Sequence, residues 1–192
     1  MKPQEEVPQK QPDEEWLKFI DTLSHELKTP LTSIIAAAAK FTLQPSFPLI
    51  GRTLRFRLTG RISTLVTAPG TMTFEIKAGS TVIWTSGAIA LNITAKVNVS
   101  WILDVDLTCR AIGNGTSTTF IGVGRFSSEA VIGSVVPATG GSGVLLLPAS
   151  APAVGTGIDS TVTNQIDVFG TWSINSASNS IQVHTYTLEA MN

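Results

Sequence analysis

The sequence predicts a mainly β protein, a jelly-roll-like antiparallel β-sandwich preceded by an amphipathic helix and a disordered lead. Three observations carry this. From Thr94 to Ala111 the odd positions (Ala95, Val97, Val99, Trp101, Leu103, Val105, Leu107, Cys109, Ala111) are apolar, while Ile102 alone interrupts the polar even positions. Side chains alternate faces along a strand, so this is one long strand with a dry face and a wet face. Turn signals built on Gly, Pro and Asn recur between short alternating segments, and no helical periodicity follows Ala39. A dry face of this length needs a second apolar layer over it, which points to sheet packed on sheet.

Charge divides the chain. Its 192 residues carry a formal charge of −1, but the first forty positions hold twelve charged residues against fifteen in all the rest. A boundary near Lys40 therefore separates a solvated segment from a body rich in Thr, Ser and Gly. The near-zero net charge supplies no strong field for nucleic acid or an anionic membrane. No apolar run approaches the roughly 20 residues of a membrane-spanning helix. The acidic start does not read as a signal peptide. The lone cysteine, Cys109, falls on the dry face of the long strand, so no disulfide is expected.

In chain order, residues 1–14 are rich in Pro, Gln and Glu and too polar to bury themselves, which predicts a disordered lead. Over 15–39, Trp16, Ile20, Leu23, Leu27 and Ile34 recur at three- and four-residue steps, the stripe of an amphipathic helix that Asp13 can cap. Within it stands Ser24-His25-Glu26-Leu27-Lys28-Thr29-Pro30-Leu31. A phosphoacceptor histidine needs a neutral ring on a rigid helix. Glu26 beside it can take the ring proton, and the Thr29 hydroxyl lies about one turn further on. Pro30 removes a backbone donor and bends the helix.

These eight residues, with Phe19-Ile20 before and Thr32-Ser33-Ile34-Ile35 after, resemble the H-box of sensor histidine kinases. The resemblance covers about residues 15–35. It implies a phosphoacceptor role for His25, with Glu26 and Thr29 assisting, and a response regulator as partner. The family's second helix and its Asn- and Gly-rich ATP-binding boxes do not follow. Gly140-Gly141-Ser142-Gly143 lacks the context of a nucleotide loop and reads as a flexible loop.

The body, residues 40–192, reads as β throughout. Pro45 and Pro48 give an extended entry to a strand in which Leu54, Phe56 and Leu58 alternate with Arg55, Arg57 and Thr59, and whose expected continuation is 61–66. Ala68-Pro69-Gly70-Thr71 turns the chain into Met72–Lys77, and Gly79-Ser80 turns it into the short strand Thr81–Trp84. Residues 86–93 read as loop or irregular strand. After the long strand, Gly113-Asn114-Gly115 suggests a hairpin turn of the Asn-Gly kind. Residues 118–128 and 129–136 follow as strands, with Gly122 and Gly124 marking a bulge or a close approach. Val144–Leu147 reads as a buried short strand or plug inside a Pro-, Ala- and Gly-rich stretch. Residues 164–175 and 180–190 close the sheet, with a turn at 176–179.

Phe41-Thr42-Leu43 ahead of Ile50-Gly51-Arg52-Thr53-Leu54-Arg55 resembles single-domain β-proteins of tailed-phage and metagenomic virion gene sets. Gly60-Arg61-Ile62-Ser63, the run from Leu107 to Thr116 and the ending Asn179–Glu189 share the likeness, which spans about residues 36–192. It implies a capsid- or tail-associated structural protein, assembling with itself or with other virion proteins, in the virion or in the host cytoplasm during assembly. It implies no known site. The H-box ahead of this body suggests a chimera joined between Thr29 and Ala39.

Other chemistry is weakly supported. His184 has no nucleophile or acid pinned to it and reads as a structural histidine. Asp104 and Asp106 share the wet face about 7 Å apart, too few ligands for a metal cage, and pairing with Arg55 or Arg57 of another strand is expected. Trp101 and Trp172 fall in the dry register, whereas Trp84 is not fixed by the pattern and, if exposed, would suit a carbohydrate-binding jelly roll. The sequence thus predicts no catalytic, metal or cofactor residue outside the H-box. The expected role is a non-enzymatic virion protein with a helical arm.

Overall fold

Alternation decides burial in the long strands. A computed structural model describes residues 34–35, 40–45, 48–64, 67–131, 135–136, 140–141, 144–148 and 157–191, all within the unit Thr32–Asn192. Among the described residues the structure is mainly β, in antiparallel sheets, with no helix. The strands are β1 (Ile34–Ile35), β2 (Lys40–Leu43), β3 (Thr53–Thr64), β4 (Thr71–Ala78), β5 (Thr81–Thr85), β6 (Ile89–Ala90) and β7 (Lys96–Ala111). They continue with β8 (Thr119–Ser128), β9 (Val135–Val136), β10 (Gly140–Gly141), β11 (Val144–Leu147), β12 (Asn164–Trp172) and β13 (Ser180–Ala190).

One sheet runs β11-β8-β7-β3-β13. The other has β12 and β4 at its centre, with β1 and β2 both paired along the free side of β12 and β5 and β6 both along that of β4. A third, small pairing joins β9 to β10. The register of the five-stranded sheet places Arg55 opposite Asp106, Arg57 opposite Asp104, and Asp104 opposite Arg125.

The two large sheets contribute their dry faces to a single core. Leu54, Phe56, Leu58 and Ile62 from β3 join Trp101, Leu103, Val105, Leu107 and Cys109 from β7. Met72, Phe74 and Ile76 from β4 and Ile166 and Val168 from β12 complete it from the other sheet. Phe74 meets Trp101 at 5.9 Å and Phe126 at 5.1 Å between ring centroids, and Phe41 meets Phe56 edge-on at 5.8 Å. Each fully buried side chain of this kind stabilises by about 1.5–3 kcal/mol through loss of contact with water. Aromatic pairs at such spacing add about 0.5–1.5 kcal/mol.

Several expectations change. The disordered lead and the helix over 15–39 lie outside the described residues except at Ile34–Ile35, which pair as strand with Thr171 and Gly170 of β12. β structure therefore begins before residue 40. The dry face of β7 does not extend to Val97, which is 80% exposed. Asn98 takes a positive φ of 54° and the β3–β7 register slips between Ile62 and Thr64, so the first residues of β7 lie past the covered part of the core. The β7–β8 connection is no two-residue turn. It is a loop over 112–118, held by Thr118, whose hydroxyl accepts from Gly113 N at 2.9 Å and donates to Gly113 O at 3.0 Å. Residues 129–136 form no continuous strand: Glu129 and Ala130 turn, Val131 makes an isolated bridge to Leu91, and β9 is two residues long. β11 is an edge strand rather than a buried plug, with Leu147 inside and Val144 and Leu146 outside. Gly140 and Gly141, expected as loop, pair with Val136 and Val135.

Candidate functional site

The wet face of the five-stranded sheet gathers a cluster of charged side chains, and its order follows from register. β3 presents Arg55 and Arg57, β7 presents Asp106 and Asp104 beside them, and β8 adds Arg125. On the outer flank, Glu189 of β13 stands opposite Arg55. Charges of opposite sign thus sit on neighbouring strands, the arrangement that stabilises cross-strand pairs.

The pairs close. Arg55 donates from Nε to Asp106 Oδ1 at 2.8 Å and from Nη2 to Oδ2 at 3.0 Å, a two-point bond. Arg125 Nη2 donates to Asp104 Oδ2 at 2.6 Å, and Arg57 Nε lies 3.6 Å from Asp104 Oδ1. Asp104 is the most enclosed member, its side chain 18% exposed. The hydrogen bond to Asp106, reinforced by its charge, raises the Arg55 guanidinium above its ordinary value. Above these groups lies an open cleft of about 380 Å³, with Val123 and Leu146 forming its apolar side.

Both aspartates accept hydrogen bonds from arginine, Asp106 from Arg55 and Asp104 from Arg125. Among the described residues no group of three or more His, Cys, Asp or Glu is placed to hold a metal ion. Nor is any helix of the described residues long and apolar enough to cross a membrane.

The remaining candidates scatter. His25, Glu26 and Thr29 lie outside the described residues. His184 is exposed on β13, where the pairing with β3 slips between Val183 and Thr185. Trp84 is 5% exposed and lies on the glycine strip of β8: a Cβ on Gly122 would run into its Cδ1, and one on Gly124 would come within 3.0 Å of its Cζ2. It offers no platform for a sugar. Trp101 and Trp172 are buried as their register required, and Trp101 Nε1 donates to Gln182 O at 3.2 Å. Cys109 is buried, which pushes its thiol up, and its Sγ donates to Ala111 O at 3.3 Å.

Sequence reading found the Asp104/Asp106 pair and its arginine partners on β3, but missed Arg125, Glu189 and Leu146. Alternation alone puts Arg125 and Glu189 on a wet face. Which strand they neighbour depends on register, and no short turn fixed it. Comparison with protein-family models, curated proteins and solved structures yields no match.

Proposed function

We propose that this chain is a non-enzymatic structural protein of a virion, a capsid- or tail-associated β-sandwich of jelly-roll type that assembles with copies of itself or with other virion proteins. The observation that carries this reading is the Arg–Asp lattice on the outer sheet face: its charged groups are matched within the sheet, leaving a broad patterned surface. Among the described strands the chain passes between the two large sheets five times, at β2–β3, β3–β4, β6–β7, β11–β12 and β12–β13, which supports a sandwich of this kind rather than a meander. An N-terminal helical arm completes the proposal, resting on the periodicity of residues 15–39.

Light scattering coupled to size exclusion, with negative-stain imaging of the peak, tests this reading on the full chain. Defined multimers are expected, and a monomer at every concentration would count against it. The phosphoacceptor alternative rests on residues 15–35 alone. It predicts label from a phosphodonor that disappears in His25→Gln, which the structural reading does not.

A further inference from the structure

We infer that the wet face of the five-stranded sheet is a two-fold contact with a second copy of this chain, in which β3 of one copy lies over β7 of the other. The inference deepens the assembly reading above and rests on it.

The argument is one of sign and symmetry. Across the middle of the face, between Lys96 and Arg110 near the two ends of β7, the columns of charge run Glu189 on β13, Arg55 and Arg57 on β3, Asp106 and Asp104 on β7, then Arg125 on β8. The order is negative, positive, negative, positive. Such a series reverses sign about its own midpoint, between β3 and β7. A two-fold axis lying in the contact plane there, parallel to the strands, sets every column over one of opposite sign. Arg55 and Arg57 come over Asp106 and Asp104 of the second copy, and the Glu189 column comes over that of Arg125. A two-fold axis across the strands would instead stack each column on itself, arginine on arginine. An isologous contact demands this kind of self-complementary surface. Like charges stacked together would cost several kcal/mol.

Composition points the same way. The basic residues outward on β3 and β8 are all arginines, Arg55, Arg57, Arg61 and Arg125, whereas the described lysines stand elsewhere. Lys77 belongs to the opposite sheet, and Lys96, at the start of β7, reaches Glu129. Interfaces favour arginine over lysine because a planar fork already held by one carboxylate can bind a second without much further ordering. Arg57 and Arg125 are held only from the side, by Asp104, and more than half of each side chain is open to solvent. The outward register of β3, β7 and β13 also carries short Thr59, Thr108, Thr185 and Thr187, which lose little side-chain entropy on contact.

The test inverts the face. A variant of the full chain carrying Glu189→Arg, Arg55→Asp, Arg57→Asp, Asp104→Arg, Asp106→Arg and Arg125→Asp keeps every pair within one copy opposite in sign. It is expected to self-associate as the unaltered chain does, yet to exchange subunits with it at least about tenfold less readily, read by energy transfer between labelled copies. Free mixing of the two overturns the inference while leaving assembly intact. A chain that is monomeric throughout overturns the assembly reading as well. Should the inverted variant fail to fold, Arg57→Glu serves instead: at least about tenfold weaker self-association with an unchanged circular dichroism spectrum supports the contact. Unchanged association, or association unaffected by salt between 50 and 500 mM, overturns it. Association only with a different protein or an anionic ligand on this face also counts against it.

Discussion

Arg55 and Asp106, 51 positions apart in the chain, meet through two parallel hydrogen bonds across the β3–β7 pairing. The pair is half exposed, so water screens most of its attraction. Asp106→Asn is therefore expected to lower the melting temperature by no more than about 4 °C. A much larger loss by calorimetry would mean that the outer lattice holds the fold together, against the view that the core does.

Gly122 is a packing glycine, because Trp84 occupies the space a side chain would need. Gly122→Ala should destabilise by about 1–3 kcal/mol through overpacking, measured by urea unfolding. The same substitution at Gly79, whose Cβ would meet nothing within 4 Å, tests a different cost, that of its positive φ of 57°.

Trp101 combines burial with the Nε1 bond to Gln182 O, where β3 leaves room because residue 60 is glycine. Trp101→Phe keeps an aromatic ring but leaves that carbonyl without the indole donor. A loss of about 1–3 kcal/mol is expected in chemical denaturation. No loss would show that the carbonyl finds water instead.

The Asp159 carboxylate sits below its usual range, chiefly because the Thr161 hydroxyl donates to it, helped by the Gly115 and Thr161 backbone N–H groups. A carboxyl whose folded value is depressed stabilises the fold above its unfolded value, near 3.9, and loses that contribution as pH falls through the folded value. The gap in urea midpoint between the unaltered chain and Asp159→Asn should thus be present at pH 7 and shrink below about pH 4. A gap that widened on acidification would contradict the assignment.

What the sequence made legible was local. The two-residue rhythm of β7 predicted the burial of Trp101, Leu103, Val105, Leu107 and Cys109, and β13 runs from Ser180 to Ala190 as read. What it hid depended on partners distant in the chain. Trp84 is buried because β5 crosses the glycines of β8, and Val97 is exposed because β7 runs past its cover. Leu146 stands 73% exposed because Val144–Leu147 pairs on one side, with β8, at the edge of the sheet. Arg125 joins the charged face through the β7–β8 register, which the long 112–118 loop leaves unspecified.

Sedimentation velocity of the full chain at rising concentration addresses the central claim most directly, because the proposed contact sets the charged face of one copy against that of a second. The account predicts a reversible shift from monomer to an even-numbered multimer that weakens as salt rises. A single monomeric boundary at all concentrations and salt levels would contradict it.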